Sequence, residues 1–246
     1  MSIVTKHHWT QSPPVPYVAP LVIFMLLTEL AGMVRVDNSA LPWYQRAPEH
    51  WVYPLQCLIV GAVLLFFRKH YTLKPWRGLG LASVLAVVGI AVWILPATLY
   101  DDAQPAWREW LGMAARDKGF DPNVFPPHSS AWWTTVSLRF VRMGVIVPFV
   151  EELFWRGFLM RYVQAGGHDF RTVPFGQHSC RAFWSVTLAV TLIHQPSDYL
   201  GAFVWGSLVY WLAVRTKSLG ACVFMHAVGN GLLGLYVLYT QKWGFW

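Results

Sequence analysis

Phe149-Val150-Glu151-Glu152-Leu153-Phe154-Trp155-Arg156-Gly157 places two carboxylates and a guanidinium inside an apolar run that extends over 131–162. A charged side chain at the centre of a bilayer costs roughly 2.5 to 3.5 kcal/mol even on the mildest insertion scales. Three such groups within six residues are poor packing filler. They either hold helices together or do chemistry.

The rest of the chain says which solvent surrounds this segment. Of 246 residues, 55% are apolar and 13% charged, with a mean hydropathy of +0.39. A soluble domain carries about 25% charged residues. Apolar runs near the roughly 20 residues needed to cross a bilayer recur at 17–34, 51–67, 79–100, 131–162, 182–195, 199–215 and 219–240. The expected fold is therefore all-α, a polytopic transmembrane bundle of seven spans. An eighth arises if Pro148, which lacks a backbone donor, breaks the long fourth run into 131–147 and 149–162.

The first run lacks the basic flank and small-residue cleavage site of a signal peptide and reads as a retained helix. The formal charge of +7 is spread over short loops, which fits topology-setting charge and no nucleic-acid partner. With the N-terminus inside, inner segments would hold ten Lys and Arg residues, Lys6 among them, against six outside, Lys118 among them. Cys57, Cys180 and Cys222 show neither a disulfide framework nor zinc-knuckle spacing.

One integral membrane domain is expected, with N-terminal helices over 1–129 and a helical core over 130–246. Pro105, then Trp107, Trp110, Leu111 and Ala114 at helical spacing, predict an interfacial helix near 105–118 that Gly119 closes. Trp51, Trp132, Trp133, Trp184, Trp243 and Trp246 sit near span ends and read as an aromatic belt.

Glu152 and Arg156, four apart, share a helix face and can form an ion pair. Glu151 lies about 100° round the helix and points elsewhere. That division makes Glu151 the candidate general base; the bland alternative has both glutamates cross-linking to buried Arg139 or Arg142. His194 ends the fifth run, stopped by Pro196. His226 and Asn230, four apart on the last run, share a face whose Gly229, Gly231 and Gly234 allow close helix approach. Each signal alone is weak. Together they place two glutamates, two histidines and an asparagine in three apolar runs, a set suited to hydrolysis of an amide by activated water.

Glu151-Glu152-Leu153-Phe154-Trp155-Arg156, then His194, then His226-Ala227-Val228-Gly229-Asn230 resemble the motifs of the CPBP family of CAAX-protease and bacteriocin-processing membrane endopeptidases. The resemblance covers about 130–235. It implies that Glu151 and His194 activate water, His226 and Asn230 hold the oxyanion, and Glu152 with Arg156 lends structural support. The family's aromatic residue four before the second motif's histidine is here Val190. No HExxH pair is present, and no cofactor is expected. The alternative is a zinc ion on Glu151, His194 and His226.

Size, the long third loop and the many tryptophans also resemble the bacterial branch found with exosortase systems. The resemblance implies a multi-pass protein of a prokaryotic cell membrane. Its partners would be the lipid bilayer and a membrane-tethered or lipidated protein or peptide, as in CAAX-box processing. A transporter that uses the same polar residues and a non-catalytic scaffold or immunity protein are the competing readings.

Overall fold

The computed structural model describes residues 12–246 apart from 101, 102, 104, 115, 117 and 118. Lys6 and Lys118, both counted in the charge asymmetry, lie outside the described residues. Among the described residues there is no strand. Among those residues, seven helical rods of more than twelve residues run alternately between two rims: α1 (Val15–Met33), α2 (Glu49–Phe67), α3 (Leu79–Thr98), α4 (Ser130–Ala165), α5 (Cys180–Leu192), α6 (Tyr199–Thr216) and α7 (Leu219–Thr240). α1, α2 with the turn that follows it, α3, α4 and α7 are each long and apolar enough to cross a membrane. α5 has 13 residues and falls short on length.

The starts of these rods follow local rules. Ser129, Ser179 and Ser218 sit in extended backbone, and their side chains accept from the amides of Trp132, Ala182 and Ala221 at the starts of α4, α5 and α7. A serine in that position satisfies a backbone donor that the first turn leaves free.

Pro148 does not split the fourth run. α4 continues for 36 residues, about 54 Å at 1.5 Å per residue, and exceeds a hydrocarbon core of about 30 Å. It absorbs the proline by widening into π-helical turns at Arg142–Ile146, just before it, and again at Leu153–Leu159. The two glutamates lie between these turns. Wide turns of this kind shift the facing of everything beyond them.

One core joins the N-terminal and C-terminal halves. Ala82, Ala86 and Ile90 of α3 share it with Trp155 of α4, Val186 of α5, Trp205 of α6 and Met225 of α7. Close contacts depend on two of the three α7 glycines singled out from the sequence. A Cβ on Gly229 would stand 2.3 Å from the Trp205 ring, and one on Gly234 would stand 2.8 Å from Phe140. Gly231 faces open space, so the expected close approach does not occur there.

The long connection before α4 departs from expectation. Its described part holds a 3-10 helix over only Ala106–Leu111, closed by Gly112 at φ 78, in place of a helix reaching Gly119. Trp107 and Trp110 are largely exposed there. Two of the six belt tryptophans turn inward. Trp132 is buried and donates to Asn123 Oδ1, and Trp246 packs on Phe120, Phe140 and Trp243.

Candidate active site

α4 supplies a buried ion-pair anchor. Glu152 is 0% exposed and Arg156 is 1% exposed. Arg156 Nη1 lies 3.3 Å from Glu152 Oε1 and 3.2 Å from Oε2, while its Nη2 donates to the carbonyl of Gly206 on α6. The same Oε1 stands 2.9 Å from His226 Nδ1 on α7. Glu152 thus ties α4 to α7 and, through Arg156, to α6. Neither glutamate pairs with Arg139 or Arg142, so the cross-linking alternative to those arginines is not the arrangement found among the described residues.

A carboxylate bound to an arginine accepts hydrogen bonds, so His226 presents Nδ1–H to Glu152 and turns Nε2 away from it. His194 has an equally definite orientation. Its Nδ1 lies 2.7 Å from the carbonyl of Val190, four residues back. A carbonyl only accepts, so Nδ1 carries the hydrogen and the neutral ring keeps its lone pair on Nε2. The substitution of Val190 for an aromatic leaves this contact intact, because the backbone makes it.

Asn230 is held by a defect in α4. Within the first π-helical turn, the Val147 amide donates to the carbonyl of Arg142. The next amide position is Pro148, which has no hydrogen to give. The Met143 carbonyl is thereby left for an outside donor, and Asn230 Nδ2 supplies it at 2.6 Å. The amide group carries two hydrogens, so one remains.

Glu151, His194, His226 and Asn230 line one cavity of about 130 Å³ between α3, α4, α6 and α7. Two tryptophans not anticipated from the sequence complete it. Trp93 meets the His194 ring edge-to-face at 5.5 Å, and Trp205 meets His226 at 5.6 Å. Each is seated over a glycine, Trp93 on Gly201 and Trp205 between Gly89 and Gly229. Those glycines, spread over three helices, were the available signal, but spacing along a chain does not pair them with a ring. Glu151, His194, Trp93, Val147 and Leu233 are shared with a wider cavity of about 570 Å³ at the rim that carries the C-terminus.

Residues 132–232 match the family model described as Rce1-like, type II CAAX prenyl endopeptidase. The match supports the resemblance of this segment to the CAAX-protease family. The segment contains every motif residue named above and both π-helical turns. No curated protein and no solved structure matches the chain. The match suggests CAAX-type intramembrane protease activity on a membrane-associated protein.

A zinc set of Glu151, His194 and His226 fits poorly. The three line one cavity, yet among the described residues no three His, Cys, Asp or Glu side chains come together closely enough to hold a metal ion.

Proposed function

We propose that the protein is an intramembrane endopeptidase that uses Glu151 and His194 to activate water against a peptide bond of a membrane-tethered or lipidated protein. The observation that carries this reading is the convergence of Glu151, His194, His226 and Asn230, from separate helical segments, on one cavity with room for several water molecules.

Glu151 takes a proton from water while the lone pair on His194 Nε2 orients it. The hydroxyl oxygen forms a bond to the carbonyl carbon, and the carbonyl oxygen becomes an oxyanion. Asn230 donates its remaining amide hydrogen to that oxygen, and His226 donates from Nε2 when its ring carries both hydrogens. As the C–N bond breaks, the proton held by Glu151 passes to the leaving nitrogen. Glu152 and Arg156 touch no substrate in this scheme; they hold His226 in place. No step is routed through a metal.

The exosortase-associated placement adds a class of tethered substrates but no step to this chemistry. The experiment is a cleavage assay on membranes carrying wild-type protein, Glu151→Ala or His194→Ala, with and without EDTA. The expected result is loss of cleavage in both variants, with the proteins still folded in detergent and EDTA without effect. Full activity in either variant overturns the mechanism, and loss of activity with EDTA overturns its metal-free form.

A further inference from the structure

The rim opposite the wide cavity is a single charged surface. Segments 68–78, 161–181 and 215–218 meet there and hold nine Lys and Arg residues against one acid, Asp169. Contacts between the segments make them one platform. Ser218 Oγ donates to the Pro75 carbonyl, and Arg77 Nε donates to the carbonyl of Thr216. The Gly220 amide donates to the Leu73 carbonyl at 3.0 Å, and Lys217 Nζ donates to the carbonyl of Gly176.

Little of this charge is answered within the protein. Arg171 pairs with Asp169 at 2.6 Å, and Arg161 donates to the carbonyls of Val173 and Arg171. The exposed side chains of Arg68, Lys69, Lys74, Arg181 and Arg215 make no ion pair or hydrogen bond among the described residues. On the opposite rim, by contrast, Arg35 and Arg116 are closed by Glu49 and Asp198.

Two of the unanswered cations share a pattern. Arg181 precedes Trp184 by three residues on α5, and Arg215 follows Trp211 by four on α6, so each pair lies on one helix face. Trp184 is 52% exposed and Trp211 is 48% exposed. In both pairs the guanidinium stands a turn nearer the rim than the indole. That order suits a lipid boundary, with the indole at the headgroup level and the cation reaching the phosphate.

α5 and α6 pack side by side. The Tyr210 hydroxyl donates to the Ser179 carbonyl at 3.1 Å, which sets the start of α5 against the last turns of α6. α5 also spans only about 20 Å at 1.5 Å per residue, short of a hydrocarbon core of about 30 Å. A bilayer thins beside so short a span, which draws its headgroups inward.

We propose that this rim binds anionic phospholipid headgroups, seated where the Arg181 end of α5 meets the Arg215 end of α6. Membrane phosphates supply the counter-charge that the protein lacks. Such binding needs no peptidase activity. An acidic protein segment would answer the same charge, but the two exposed indoles beside the arginines fit acyl chains and glycerol better than a polar peptide.

The test uses full-length protein in an uncharged detergent and reads thermal stabilisation against the concentration of short-chain phosphatidylglycerol or phosphatidylcholine. Phosphatidylglycerol should act at concentrations at least about 25-fold lower, roughly fivefold for each of the two arginines. Added salt should shrink that margin. Arg181→Gln combined with Arg215→Gln should bring the two lipids within about fivefold of each other. Both side chains are exposed, so the variant should fold, and Lys242→Gln on the opposite rim should keep the full preference.

Equal stabilisation by the two lipids overturns the proposal with no variant needed. A preference that survives in the double variant overturns the seat at Arg181 and Arg215. Glycerol phosphate that matches phosphatidylglycerol would make this a free-phosphate site, and a poly-glutamate peptide that exceeds it would make it a protein-docking surface; either result overturns the lipid.

Discussion

Asn230 Nδ2 donates to the Met143 carbonyl across 2.6 Å, and Pro148 is the reason that carbonyl is free. A proline inside the α4 core thus places the side chain of a residue on α7. The contact fixes one hydrogen of the Asn230 amide and leaves the other for the cavity. Asn230→Ala should lower turnover by roughly 100- to 1,000-fold, the cost of losing an oxyanion donor. Turnover and melting temperature measured on the same preparation check this; an unchanged rate with lowered stability would make the residue a helix tie only.

Glu152→Ala strands Arg156 and His226 together. Breaking a buried pair by removing one partner costs roughly 3 to 5 kcal/mol. Yield and thermal stability in detergent should fall sharply, and cleavage should fall because His226 loses its hold. Stability equal to wild type would show that the 2.9 Å contact does not hold α4 to α7.

Gly229 and Gly231, two positions apart, should respond oppositely to alanine. At Gly229 the new methyl group meets Trp205 at 2.3 Å and pushes the ring that packs on His226, an overpacking cost of roughly 1 to 3 kcal/mol. At Gly231 it meets nothing within 4 Å, and the better helix propensity of alanine should stabilise by up to about 1 kcal/mol. Melting curves of the two variants decide this; matching losses would contradict the packing described here.

Cys180 is exposed at the rim opposite the wide cavity, while Cys222 is buried. With the N-terminus inside, as the spread of Lys and Arg suggests, a membrane-impermeant maleimide should label Cys180 only after cells are opened. Labelling of intact cells would invert the orientation and put the cavity mouth on the cytoplasmic side.

The helical class was legible because hydropathy runs and helix period are local properties. The Glu152–Arg156 pair was legible for the same reason: four residues on a helix are neighbours whatever lies around them. The role of His226 as a second partner of Glu152 was not, since period shows which face a residue occupies but not which helix that face meets. Pro148 raises a kink or break as an expectation because its missing donor is a local fact. The compensation, a π-helical turn and a distant asparagine, is tertiary. Trp93 and Trp205 escaped notice because apolar aromatics are ordinary within a span, and only contact with His194 and His226 sets them apart.

The most direct test is a comparison of membrane-protein C-termini from cells carrying wild-type protein or Glu151→Gln. Glutamine keeps the shape of the side chain and most of its hydrogen bonding while removing the base. New C-termini present with wild type and absent with Glu151→Gln are the predicted result, and they would name the substrate. Identical C-termini, with both proteins expressed and folded, would contradict the assignment of Glu151 as the base of a peptidase.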